Sequence, residues 1–209
     1  MASSTALWSF ALVVGLLTLT PGLDTALILR TAALGRRTRA RGVVLGIQTG
    51  TLTWGALTSL GVTALLTASQ LAYEILRWAG AAYLLWMAGR MIAETFRRGG
   101  AGAEVEVGGA DTLSGGWRQG TLTNLLNPKV GVFYVAVLPQ FIPAEAPHFA
   151  MGLALTSVHV VLGMVWSTVL IASAGALGTW LRGARARRVL DRVTGTVIGA
   201  FAVRLAVGD

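Results

Sequence analysis

Two short stretches place charge where the chain is otherwise apolar. Thr20-Pro21-Gly22-Leu23-Asp24 lies in the run from Trp8 to Leu29, and Asn127-Pro128-Lys129 lies in the run from Gly120 to Leu138. Proline removes a backbone donor and glycine loosens the chain, so each stretch breaks a helix and frees carbonyls and amides from the helical ladder. Asp24 follows the first break at once, and Lys129 follows the second. A charge at membrane depth costs roughly 3 kcal/mol on insertion scales unless it faces a cavity or a partner. An acid and a base beside free backbone groups suit a zwitterion: Lys129 and freed amides can take a carboxylate, Asp24 and freed carbonyls an ammonium. Without a ligand the two charges can pair with each other, or Asp24 can take up a proton.

The elements that must position these residues are membrane spans. Of 209 residues, 54% are hydrophobic and 12% charged, which does not describe the surface of a soluble domain. A helix crosses the hydrocarbon with about 20 apolar residues. Six runs qualify: 8 to 29, 43 to 66, 71 to 91, 120 to 138, 149 to 174 and 189 to 207. Trp8 to Leu29 is expected to be a retained span, because Met1 to Ala6 holds no Lys or Arg of the kind that precedes a secretory h-region. The net charge of +8 is concentrated in arginine clusters, Arg30 to Arg41 and Arg182 to Arg192, beside the spans. That distribution reads as cytoplasmic loops rather than a nucleic-acid surface, and it places both termini outside a bacterial-type inner membrane. With no cysteine, disulfides, thiolate metal sites and thiol redox chemistry are excluded.

Small residues mark where helices approach. Gly42, Gly46 and Gly50 form a stripe at fourfold spacing, Gly195 and Gly199 repeat it in the last run, and Gly80 sits in the third. Gln48 belongs to a different face from that stripe. An interhelical hydrogen bond is its expected role, with substrate contact as the second reading. His159, inside the fifth run beside Trp166 and Ser167, is either an ordinary packed side chain or a proton relay.

The glycine-rich segment 99–116, with Glu104, Glu106 and Asp111, reads as a flexible cytoplasmic linker between residues 1–98 and 117–209. Placing Pro21 over Pro128 aligns the two breaks, and Gly80 to Arg90 echoes Gly195 to Arg204. Three spans per half invert the second half relative to the first. The expected fold is therefore an all-α integral membrane protein of six transmembrane helices in two inverted three-helix repeats, the first and fourth helices broken.

The chain resembles the lysine exporter (LysE) family and its homoserine and threonine exporter branch. The resemblance rests on Thr20-Pro21-Gly22-Leu23-Asp24, on Arg41-Gly42 with Gly46 and Gly50, and on Gly80-Ala81-Ala82-Tyr83-Leu84-Leu85. Gly120 followed by Asn124-Leu125-Leu126-Asn127-Pro128-Lys129 and Leu138-Pro139-Gln140-Phe141 complete it. One departure is Leu23, where the family's motif has a second proline. The resemblance implies export of amino acids or close derivatives, driven by the membrane potential or a proton gradient. It adds Asn124 to the candidate site of Thr20, Pro21, Gly22, Asp24, Gln48, Asn127, Pro128 and Lys129.

The partners expected are a small amino-acid substrate, protons and membrane lipid, with a homodimer left open; no cofactor, metal or nucleic acid is called for. The rival is a metal-ion exporter or pore of similar architecture. Hard cations want several carboxylates and softer ones imidazole or thiolate, whereas the spans offer Asp24, Glu74 and His159. An intramembrane enzyme has less support still, since no paired carboxylates, metal triad or nucleophile with a base appears. Reporter fusions at Gly108 and Asp209 are expected to report opposite compartments, and a common compartment would overturn the six-span topology.

Overall fold

The computed structural model describes residues 2–96, 109–143, 145–174 and 184–207. Among these the chain is all helical, with no strand: α1 (Ala2–Leu19), α2 (Leu23–Ala33), α3 (Arg37–Ala68), α4 (Gln70–Glu94), α5 (Leu113–Leu125), α6 (Pro128–Val137), α7 (His148–Ala172) and α8 (Ala184–Val207). The six apolar runs become eight helices because two of them are split. Thr20-Pro21-Gly22 separates α1 from α2, and Leu126-Asn127 separates α5 from α6. From Ala6 onward, α1 and α2 together are apolar and long enough to cross a bilayer as one span bent by 52°, and α7 qualifies as an unbroken one. Large apolar side chains such as Trp8, Leu12, Leu57, Ile75, Trp78 and Val161 stand on the outside of the bundle. An exterior carrying so many large apolar side chains is suited to lipid rather than water.

Glycine stripes bring α3 and α5 into backbone contact. A Cβ at Gly42 would collide with the Leu113 carbonyl, and one at Gly46 with that of Trp117. From the other side, Cβ atoms at Gly116 and Gly120 would collide with the carbonyls of Arg39 and Val43. Contacts advance in the same direction along both helices, so α3 and α5 run parallel, locked by small-residue stripes on each. Gly50 continues the stripe and faces Asn124, which is how the α3 contact reaches the second break.

A second register, absent from the sequence reading, fixes α3 on α7. Gln48 lies on Gly163, Gly55 on Thr156, and Ser59 on Gly152. Here the numbers rise on α3 as they fall on α7, so these helices run antiparallel. On α8, Gly199 faces Ala88 of α4, and Gly195 is buried. The packing of Gly80 lies outside the described residues.

The linker differs from expectation at its end. Residues 99–108 lie outside the described residues, but 109–116 are anchored. Thr112 caps α5 through its side chain, which accepts from Gly115 N at 3.2 Å, and so the helix starts at Leu113. Arg39, buried at the start of α3, gathers the approach: its backbone amide donates to Asp111 Oδ1 (2.7 Å), Nη1 to the Ala110 carbonyl (2.8 Å) and Nη2 to Gln119 Oε1 (2.9 Å). A glycine at 109 suits the positive φ of 83° there and the close guanidinium. Between α3 and α4 the connection is Ser69 alone. Leu138-Pro139-Gln140-Phe141 follows the end of α6 as a 3-10 turn whose Leu138, Pro139 and Phe141 are buried. Phe141 packs edge-on against Phe10, which draws the turn into the core.

Gly46→Leu is expected to destabilise the protein in detergent by about 3 kcal/mol, because it must force two backbones apart. Leu45→Phe, at a half-exposed neighbouring position, should stay within about 0.5 kcal/mol of the parent. Equal unfolding midpoints for the two variants would refute the role of the stripe.

Candidate functional site

Both breaks have identifiable local causes. At the first, α1 ends with Thr20 N donating to Leu16 O (3.1 Å), and α2 begins at the extended Gly22, which offers no side-chain cap. The amides of the first turn of α2 are therefore left without intrahelical acceptors, and Asp24 sits in that turn, where the helix dipole favours an anion. At the second, α5 stops at Leu126. Asn127 caps α6 with its side chain, accepting from Lys129 N at 3.1 Å, and Pro128 occupies the first turn, where its missing N–H costs nothing.

Each break is completed by the other. Asn124 Nδ2 donates to Asp24 Oδ2 at 2.8 Å, and Asn127 Nδ2 reaches Asp24 Oδ1 at 3.5 Å. In return, Lys129 Nζ donates to the carbonyls of Thr20 (3.3 Å) and Leu17 (3.4 Å) at the end of α1. Those carbonyls are the negative end of the α1 dipole, so they suit a cation. Of the two ligand-free arrangements the sequence allows, direct pairing of the charges does not form: among the described residues no ion pair joins Asp24 to Lys129. Asparagine amides and helix-end carbonyls satisfy the two charges separately, because each lies closer to the other break's polar groups than to the opposite charge.

Between the break helices, α3 and α7 lies a cavity of about 70 Å³, lined by Thr20, Gly22, Asp24, Gln48, Asn124, Asn127, Lys129 and His159 among others. Pro21 and Pro128 shape the breaks but do not line it. The cavity falls between two apolar clusters. One packs α1, α6 and α7 around Phe10, Val14, Phe133 and Leu155; the other packs α2, α3 and α7 around Leu27, Val43, Ile47 and Leu170. Apolar packing flanks the cavity on both sides, so polar groups facing it interact at a lower dielectric than in water.

Gln48 departs from its expected role. Its side chain is buried at 7% exposure, yet among the described residues it makes no hydrogen bond. The residue opposite on α7 is Gly163, which has no side chain to offer it a partner. His159, read from the sequence as either a packed side chain or a proton relay, is buried on α7. Its Nδ1 lies 2.9 Å from the buried Tyr134 hydroxyl, with the rings stacked 5.7 Å apart.

The sequence reading missed Tyr134 and the contribution of α8. Thr194, buried on α8, contacts the Thr20 hydroxyl and donates to the Leu16 carbonyl at 3.3 Å. Asp191 lies on the same helix, three residues before Thr194, and a carboxylate beside arginines in an otherwise apolar run was the available signal for α8. No group of three His, Asp or Glu side chains that could hold a metal ion occurs among the described residues.

An all-helical, lipid-facing bundle in which two broken helices meet at a small charged cavity has the build of a membrane translocator. The chain belongs to the LysE family: the sequence model of the LysE type translocator matches residues 15–209. It is similar to the homoserine/homoserine lactone efflux protein of Salmonella typhimurium, 32% identical over 95% of this chain and 96% of the relative. It is also similar to the leucine efflux protein of Enterobacter sp. (26% identical, 95% and 94% covered) and the threonine efflux protein of Escherichia coli K12 (25%, 90% and 91%). No solved structure matches the chain. The protein is thus a member of a family of membrane amino-acid efflux transporters, and a transporter rather than an enzyme.

Asn124→Ala is expected to lower stability in detergent by about 2 kcal/mol, the scale of a lost hydrogen bond to a buried charge. Thr123→Ala, outside the Asp24 contact, is the control. An unchanged unfolding midpoint for Asn124→Ala would show that Asp24 does not depend on it.

Proposed function

We propose that the protein exports amino acids or related zwitterionic metabolites across the inner membrane by alternating access, with Asp24 and Lys129 as the charges of a substrate site at the two breaks. The observation that carries this reading is the crossed bonding of the breaks around one cavity, Lys129 to the end of α1 and Asp24 to Asn124. Each contact is replaceable by one end of a zwitterion. A substrate carboxylate would draw Lys129 from the Leu17 and Thr20 carbonyls, and a substrate ammonium would take those carbonyls or the Asp24 carboxylate. A cavity of about 70 Å³ holds about two waters. Admitting an amino acid requires the break helices to part, which supports a closed state of the cycle.

Coupling to protons follows from Asp24. A carboxylate in a dry site is stabilised by a single positive charge at a time, so a proton and a substrate ammonium compete for it, and their alternation gives antiport. Two inverted halves, 1–98 and 117–209, supply the moving parts in this proposal. The directions of packing support it. In a chain of alternating spans the second and fourth run parallel and the second and fifth antiparallel, as α3 does with α5 and with α7. Termini outside the cell complete the topology proposed.

Asp24→Asn and Lys129→Met are each expected to reduce export at least thirtyfold, from the roughly 2 kcal/mol or more that a buried charged contact contributes, while membrane levels stay normal. The double variant should insert and remain inactive. Efflux of a panel of labelled amino acids from proteoliposomes, normalised to protein, measures this, and an active double variant would remove both charges from the mechanism.

A further inference from the structure

The imidazole of His159 is held on one side and open on the other. Its Nδ1 lies 2.9 Å from the Tyr134 hydroxyl, and the two rings stack with their planes 15° apart. Tyr134 is wholly buried on α6 and does not line the cavity, whereas His159 does. The ring therefore turns Nδ1 to the phenol and its opposite edge, with Nε2, to the cavity. Gly163, one turn further along α7, lines the same cavity and adds no side chain over that edge. His159 makes no other hydrogen bond among the described residues, so none of them occupies Nε2.

The hydrogen bond to Tyr134 decides which nitrogen carries the proton. A phenol O–H is a stronger donor than an imidazole N–H, and an imidazole lone pair is a stronger acceptor than a phenol oxygen. The bond therefore runs from the Tyr134 hydroxyl to Nδ1. The Thr156 hydroxyl, also beside the phenol, already donates to the Gly152 carbonyl at 2.8 Å and offers only a weaker oxygen acceptor. We propose that Tyr134 fixes His159 as the neutral tautomer protonated at Nε2, and that this N–H binds the substrate's carboxylate beside Lys129. The inference rests on the exporter function proposed above. An N–H facing the cavity can only donate, and an ammonium has nothing to accept with, so of the two ends of a zwitterion only the carboxylate fits. A carboxylate has lone pairs enough for both Lys129 and His159. Tyr134 lies five residues after Lys129 on α6, so the helix that brings the cation also sets the imidazole. Accepting a second proton would take Nδ1 away from Tyr134, which makes His159 a fixed donor rather than a relay.

Two measurements test this. The chain holds two histidines, His148 and His159, so nitrogen-15 histidine labelling of the purified full-length protein, with His148→Gln to assign the signals, reads the tautomer directly. His159 is expected to carry its proton on Nε2. That N–H signal should shift on adding an L-amino acid the protein exports, but not on adding the amine that lacks its carboxylate: 3-methylbutylamine for L-leucine, 1-amino-2-propanol for L-threonine. In proteoliposomes His159→Phe is expected to raise KM at least about tenfold with kcat within about twofold, the loss of a donor to a charged group. His159→Gln, whose amide nitrogen donates but cannot ionise, should stay within about threefold of the parent, and Tyr134→Phe should raise KM about threefold. A proton on Nδ1, a signal that moves as much with the amine as with the amino acid, or a His159→Phe with the parent's KM would overturn the assignment while leaving the exporter standing. A His159→Gln that binds normally but no longer couples export to a proton gradient would reveal a relay and overturn it too. If the parent exports none of the labelled amino acids, the exporter reading falls and the carboxylate role with it. The tautomer is read on the parent side chains of the site, so a misfolded variant does not shield the inference.

Discussion

The structure depends on a mutual rescue of two helix breaks. Opening a helix at Pro21 and Gly22 leaves carbonyls at the end of α1, and opening another at Asn127 and Pro128 places Lys129 at the start of α6. Either feature alone in hydrocarbon would be costly, since no water reaches it. Docked together, the Lys129 ammonium meets the Leu17 and Thr20 carbonyls, and Asn124 meets the Asp24 carboxylate. Because each break is satisfied by the other, neither can be moved without exposing a charge. That constraint makes the junction the natural place for a ligand able to substitute for the same contacts.

The surrounding helices hold this junction by close approach. The glycines of α3 and α5 let two backbones touch, and the stripe ends at Gly50 against Asn124, so the packing delivers that amide to Asp24. On the other side α7 is placed by Gly55, Gly152 and Gly163, and it carries His159 to Tyr134 of α6. On α8, Thr194 closes over Thr20 and the Leu16 carbonyl. In a bilayer, where lipid is as apolar as the helices, such small-residue contacts and buried hydrogen bonds carry the packing that the hydrophobic effect supplies in water.

The cavity has two kinds of wall. On one side lie the backbone breaks, whose geometry follows from proline, glycine and asparagine at fixed places. The rest is made of side chains on α3 and α7, such as Gln48 and Ser167. In the function proposed, the breaks hold the two charged ends of a zwitterion.

Local chemistry made the breaks, the membrane character and the α3 glycine stripe legible from the residues alone. Proline and glycine act on their own backbone, and a fourfold run of glycines marks one helix face whatever it meets. Partnership was not legible in this way. The sequence left open whether Asp24 and Lys129 pair, favoured a bond from Gln48 to another helix, and left His159 as either a packed side chain or a proton relay. Docking instead gave Asp24 to Asn124, Lys129 to the α1 carbonyls and His159 to Tyr134, and it left Gln48 facing Gly163 and the cavity. These outcomes turn on which atoms come within about 3 Å across helices far apart in sequence. Spacing along a chain indicates which face a residue occupies, but only the register of α3 against α5 and α7 determines what that face meets.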